Sequence, residues 1–146
     1  VASKVMEVFD GIGMFCVEMF VTKDNDILVN EVAPRPHNSG HYTIEGCITS
    51  QFENHIRAIV GLPLGDTSLI CPTVMINLLG EEGYTGDTVV EGLDKAMALK
   101  GVTLHIYGKA QTKPKRKMGH ITVTANSVSK AKAIAEEAYK YIKIKA

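Results

Sequence analysis

The chain has 146 residues, 45% apolar and 22% charged, with no formal net charge at neutral pH. This globular composition excludes a disordered polymer, a collagen-like repeat and a disulfide-dense miniprotein. The neutrality hides a division: residues 1–99 hold 5 basic and 14 acidic side chains, and residues 100–146 hold 11 basic and 2 acidic.

The basic second part suggests an anionic partner, either nucleic acid or a small phosphorylated metabolite. A solvated basic surface accounts for it equally well. No apolar run approaches the roughly 20 residues of a bilayer span, so no membrane partner is expected. The sequence begins with Val1 and shows no basic start followed by an apolar stretch. The expectation is therefore a cytoplasmic portion of a longer protein. Cys16, Cys47 and Cys71 lack metal-type spacing, and each sits among apolar neighbours. They read as reduced core thiols.

In chain order, Val5, Val8, Phe9 and Ile12 recur at helical spacing, and Gly11 and Gly13 follow as stops. Met14 to Val21 reads as a strand. Lys23 to Asp26 is a polar turn, and Ile27 to Val32 is a second strand. A Pro- and Gly-bearing loop runs from Ala33 to Gly40. Ile44, Cys47, Ile48, Phe52, Ile56, Ile59 and Val60 mark one amphipathic helix ending at Gly61. Leu62 to Cys71 form the best boundary, a polar stretch with Pro63, Gly65 and Pro72 around it. Beyond it come a strand over Thr73–Leu79, a Gly-rich loop and a short helix around Leu93–Leu99. Strands over Val102–Tyr107 and His120–Thr124 follow, joined by a basic loop. A last helix begins near Ser127 or Ser129, with Ala131, Ile134, Ala135, Ala138 and Ile142 on one face.

The first hairpin carries a geometric expectation. A four-residue turn at Lys23–Asp26 pairs Thr22 with Ile27, and counting back places Glu18 opposite Glu31. Opposed residues share a face with Cβ atoms roughly 4.5–5.5 Å apart, where like charges repel. A divalent cation with hard oxygen ligands, such as magnesium, compensates such a pair. A slipped register, or two glutamates facing water, are the alternatives.

The loop Ala33-Pro34-Arg35-Pro36-His37-Asn38-Ser39-Gly40-His41 is stiffened by two prolines. Arg35 offers a planar fork for phosphate or carboxylate, and His37 a proton near neutral pH. Asn38 and Ser39 either bind a ligand or cap the following helix. His55 reads as structural. The segment from Tyr107 to His120 holds Lys109, Lys113, Lys115, Arg116 and Lys117. It can converge charge-assisted bonds on one phosphate. It lacks the aromatics of a single-stranded nucleic-acid platform and the Gly-rich nest of a P-loop. A small phosphate ester is therefore preferred over nucleic acid.

The strings VEMF and ILVNEVAPRPHNSGHYTIEGCITSQFENHIRAI closely resemble the 5-(carboxyamino)imidazole ribonucleotide synthases. These ATP-grasp enzymes are also described as the ATPase subunit of phosphoribosylaminoimidazole carboxylase. PTVMINLLG and HIYGK with RKMGHITVTA resemble that family's C-terminal domain. The resemblance implies an α+β fold. Residues 1–66 correspond to the C-terminal part of the ATP-grasp domain, with its hairpin and helices. Residues 67–146 correspond to a small β-rich C-terminal domain with a terminal helix.

The implied activity is carboxylation of 5-aminoimidazole ribonucleotide with ATP and bicarbonate in purine synthesis, by way of carboxyphosphate or carbon dioxide released from it. By resemblance, Glu18 and Glu31 match the magnesium ligands, and Asn30 with Glu31 lines the ATP phosphates. Arg35 matches an anion-stabilising residue, and His37 one that orients the substrate or handles a proton. Asn38 and Ser39 match positions beside the ribonucleotide. Lys109, Arg116 and Lys117 match cations gripping its 5′-phosphate. Two departures stand out. Ala33 occupies a position where many ATP-grasp enzymes carry a ligating Asn, and Lys115 one where relatives more often carry Gly. The resemblance also implies a homodimeric parent, with the adenine pocket and lid outside this chain, so that the chain alone is expected to be inactive. Another ATP-grasp ligase, or a non-catalytic anion-binding module, is the alternative.

Overall fold

The computed structural model describes all 146 residues. They divide into two compact units, Val1–Ser68 and Leu69–Ala146. Helices and strands mix in both, as an α+β chain requires.

The first unit opens with α1 (Ala2–Phe9), which ends where Asp10 turns left-handed at φ 44°. Strands β1 (Cys16–Val21) and β2 (Ile27–Ala33) form an antiparallel hairpin. Its turn differs from the expected one. Thr22 N donates to Asp26 O at 2.9 Å, and Asp26 N donates to Thr22 Oγ1 at 3.0 Å. Asn25 between them is left-handed, at φ 64°. Asn tolerates that conformation better than most residues, and it closes a three-residue loop. Val21 therefore pairs with Ile27, one residue out of the expected register. A bulge then restores the count. Asn30 has no ladder partner, Met19 pairs with Val29, and Glu18 pairs with Glu31.

The single helix expected over Ile44–Val60 is in fact two, α2 (Thr43–Gly46) and α3 (Gln51–Ile59). Cys47 and Ser50 are extended between them. Ile48 N donates to Ser68 O at 3.0 Å and Thr49 N to Asp66 O at 2.9 Å, so residues 66–68, not a preceding helical turn, satisfy these backbone groups. Ser50 then caps α3, its Oγ accepting from Glu53 N at 3.2 Å. Ser50-Gln51-Phe52-Glu53 has capping-box spacing, a start signal that the apolar periodicity concealed. Hydrogen bonds from Ser68 hold the Asp66 carboxyl below its usual range. This turn is therefore firmest above the ordinary aspartate pKa and loosens as pH falls through the lowered value. The apolar stripe of Ile48, Phe52, Ile56 and Ile59 remains exposed. The buried interior of this unit is small and partly polar, with Thr49, Gln51 and Asn54.

The second unit begins with β3 (Thr73–Leu79), β4 (Gly86–Asp87), β5 (Val89–Glu91) and α4 (Leu93–Met97). It continues through β6 (Val102–Ile106), β7 (Gln111–Thr112), β8 (Lys117–Thr124), α5 (Val128–Tyr141) and β9 (Lys143–Lys145). An antiparallel sheet runs in the order β3-β8-β6. Its central strand is buried on both faces from Met118 to Val123. Ser127 caps α5, accepting from Lys130 N at 3.3 Å. Ala131, Ala135 and Ala138 form a fully buried small-residue face, which lets the helix lie close against β3 and β8.

The helix ends one residue before Ile142, which is extended at φ −82° and ψ 128°. The sequence expectation put Ile142 on the helical face. Instead Ile142 and Ile144, both buried, alternate with lysines, and β9 pairs with β5. Gly92 permits this approach, since a Cβ there would lie 2.0 Å from Tyr141 O.

Truncating Ile121, which is 0% exposed, should cost about 2–5 kcal/mol. Ile56→Ala, on the exposed stripe, should stay within about 0.5 kcal/mol. Urea unfolding of the two variants checks both values.

Candidate functional site

In the first unit the chemistry gathers where β1 and β2 pair. Glu18 and Glu31 stand directly opposite, with the Asn30 bulge beside them. Bulges re-aim side chains and are common next to active sites. Nothing in the ladder neutralises two like charges in that arrangement, and like charges directly opposite each other destabilise a hairpin. One local group does approach: His37 Nε2 lies 3.3 Å from Glu18 Oε1.

His37 is held from its other side. Ser39 N donates to His37 Nδ1 at 3.3 Å, and Ser39 Oγ lies 2.9 Å from the same nitrogen. Accepting from a backbone N–H requires a lone pair on Nδ1, so Nε2 carries the hydrogen and donates to Glu18. Asn38 and Ser39 belong to a 3-10 turn over Asn38–Gly40, capped by His37 itself. Arg35 is exposed and folds back, donating to Pro36 O at 3.0 Å. The structure thus brings Glu18, Glu31, His37 and Ser39 together, while Arg35 lies on the outside of its loop.

Gln51 is the residue that sequence reasoning missed. Its side chain accepts from His37 N at 2.9 Å and donates to His37 O at 2.8 Å. It also lies 2.9 Å from His41 Nδ1. Its own backbone N–H donates to Thr43 Oγ1 at 2.9 Å. A buried amide that pairs with both backbone groups of one residue fixes that residue in space. Gly40 makes room for it, since a Cβ there would lie 2.5 Å from Gln51 Oε1. A glutamine just inside a helix start carries no such signal in the sequence. His55 is structural, accepting from Met14 N at 2.9 Å.

Cys16 requires a correction. Cys47 is buried, and burial pushes its thiol pKa up, but Cys16 and Cys71 are only half-buried, so neither is a core thiol. It shares a strand face with Glu18, two residues on, as pleat alternation dictates. A cleft of about 340 Å³ lies here, lined by Phe15, Cys16, His37, Ser39, Thr43 and Gln51.

In the second unit the cations lie on the β6–β8 connection. Lys109 Nζ donates to Lys117 O at 2.6 Å, and Arg116 donates from one terminal nitrogen to Gln111 O at 2.8 Å. Each keeps further donors available, because Lys has three and Arg five. Gly80 staples the loop: Gly80 N donates to Arg116 O at 2.9 Å, and Lys115 N donates to Gly80 O at 3.0 Å. A Cβ at Gly80 would meet Lys113 O at 2.2 Å. Lys115 is left-handed, at φ 62°, which gives physical content to a position where Gly is the expected residue.

Gln51→Ala should destabilise the first unit by about 1–3 kcal/mol, because His37 loses partners for its N–H and C=O. Amide exchange at residues 37–41 should accelerate in the same variant. Lys115→Gly should raise the unfolding midpoint, by an amount worth about 0.5–1 kcal/mol, as the left-handed strain is relieved.

Comparison with known proteins sets this geometry in context. Residues 1–52 match the ATP-grasp domain model, and residues 73–134 match the phosphoribosylaminoimidazole carboxylase C-terminal domain. The N5-carboxyaminoimidazole ribonucleotide synthase of Bacillus subtilis is 53% identical over 83% of this chain. The chain spans only 30% of that relative's length. The crystal structure of N5-carboxyaminoimidazole ribonucleotide synthetase from Thermotoga maritima matches 99% of the chain with a TM-score of 0.91 at 57% identity, and 40% of that protein is covered. The Aspergillus clavatus N5-carboxyaminoimidazole synthase, in complex with ADP and 5-aminoimidazole ribonucleotide, matches 95% of the chain at 39% identity and TM-score 0.82, with 37% of that protein covered. With both domain models met in order along one chain, and relatives of one kind matching nearly its whole length, the chain belongs to the N5-carboxyaminoimidazole ribonucleotide synthase family of ATP-grasp proteins.

Proposed function

We propose that the protein carrying this chain uses ATP and bicarbonate to carboxylate the exocyclic amine of 5-aminoimidazole ribonucleotide in purine synthesis. The observation that supports this most is the opposed pair Glu18 and Glu31 with the His37 loop beside it. Two carboxylates on one face are a hard oxygen donor set that fits magnesium, an ion that readily shares its shell with phosphates. Glu18 and Glu31 would hold the ion, which would screen the phosphate charge of ATP. Asn30, the bulge residue, would line the phosphate site with Glu31.

The remaining roles fall to the chain's own side chains. His37 orients the ribonucleotide or moves a proton at Nε2. Arg35, with most of its fork unspent, stabilises anionic charge on the reacting carboxyl group. Asn38 and Ser39 position the ribonucleotide. Lys109, Arg116 and Lys117 bind its 5′-phosphate through their remaining donors. A cytoplasmic homodimer that acts on small molecules, with no nucleic-acid partner, completes the reading. No helix is long and apolar enough to cross a membrane.

Full-length protein containing this chain tests the proposal. ADP release should require both bicarbonate and 5-aminoimidazole ribonucleotide. Glu31→Gln should lower kcat by at least about 100-fold. ADP release indifferent to the ribonucleotide would refute the substrate, and full activity in Glu31→Gln would refute the metal role.

A further inference from the structure

Cys16, Glu18 and His37 each offer one ligand atom, and these atoms all lie within 4.8 Å of one another. We infer that they form a binding site for a thiophilic divalent cation of the zinc type, which shares Glu18 with the magnesium pair but adds a thiolate and an imidazole in place of Glu31. The donor set decides the class. Magnesium takes oxygen in octahedral geometry, and a thiolate and an imidazole suit it poorly. One sulfur, one nitrogen and one carboxylate oxygen make a three-ligand tetrahedral zinc set with the fourth position open.

The spacing fits. Zinc bond lengths place tetrahedral ligand atoms roughly 3.3–3.6 Å apart, and His37 Nε2 is already 3.3 Å from Glu18 Oε1. Cys16 Sγ lies within 4.8 Å of both of these atoms, close enough for side-chain rotation to complete the set. Ser39 supplies the surrounding support. Its hydroxyl lies 2.9 Å from His37 Nδ1 and 3.8 Å from Cys16 Sγ. When Nε2 binds the cation, the ring hydrogen moves to Nδ1, which gives up its bond from Ser39 N–H and donates to Ser39 Oγ instead, the outer hydrogen bond that a metal-bound histidine needs. The thiol proton leaves to solvent. Two of the three ligands, Cys16 and His37, line the open cleft together with Ser39, so a cation can reach the site from it. Glu31 is not among these ligands.

The site stands on this geometry alone. Its consequence, that zinc withdraws Glu18 from magnesium and nucleotide, rests on the function proposed above.

Cobalt(II), whose thiolate complexes absorb in the near ultraviolet, is the probe on the 146-residue chain. The charge-transfer band should saturate at about one equivalent, be erased by zinc and be unmoved by excess magnesium. Cys16→Ser should abolish the band, and Cys71→Ser should leave it intact. Ser39→Ala should weaken zinc binding about 10–100-fold. On unsubstituted chain, zinc should slow alkylation of Cys16, read by mass spectrometry, without slowing that of Cys71, and magnesium should slow neither. A band that survives Cys16→Ser, or zinc that fails to protect Cys16, overturns the assignment. None of these readouts involves nucleotide, so their failure leaves the proposed carboxylation untouched.

Discussion

Two like charges held face to face organise the first unit. Glu18 and Glu31 are directly opposed in the hairpin ladder, a pairing that costs stability unless a cation or a donor answers it. The hairpin reaches this arrangement through two irregularities that cancel. A left-handed Asn25 shortens the turn by one residue, and the Asn30 bulge returns that residue after three ladder pairs. Either change alone would shift the carboxylates out of opposition, and a one-residue slip sends a side chain to the other face of a strand. The fold therefore combines a left-handed turn residue with a bulge to keep an electrostatically unfavourable pair.

The loop that follows gains its precision from the neighbouring helix. Prolines 34 and 36 limit the backbone, but Gln51 sets where His37 sits, by bonding both of its backbone groups. Gln51 can do so because the chain breaks at Cys47–Ser50 and restarts as a capped helix. Had residues 44–60 formed one helix, the turn of α3 that bears Gln51 would have no free start at which to meet the loop. In the second unit Gly80 does similar work for the cations, pairing with Arg116 and Lys115 so that the basic loop has a defined shape.

Much of this was readable in residue order. The opposition of Glu18 and Glu31, the span of β3 and the capped start of α5 all follow from alternation, turn chemistry and capping. The opposition was reached by the wrong route, because pair counting sees neither a left-handed Asn nor a bulge. The break within residues 44–60 was hidden by an apolar period that runs on through an extended stretch. The paired backbone at Ile48 and Thr49 depends on residues 66–68, a partner no local window contains. Ile142 falls at helical spacing from Ala138, yet Ile142 and Ile144 also alternate with lysines, which is the signature of the extended stretch they form. Cys16 was read by its apolar neighbours, while its strand face, shared with Glu18, was the better guide.

The central claim is that the opposed carboxylates are a cation site. Manganese(II) as a paramagnetic probe, added with ADP to isotope-labelled full-length protein containing this chain, tests it most directly. Backbone amide signals of residues 18 and 31 should broaden first, ahead of those at the acidic turn of Asp24 and Asp26. Broadening centred on that turn, or spread evenly over all acidic positions, would contradict the account.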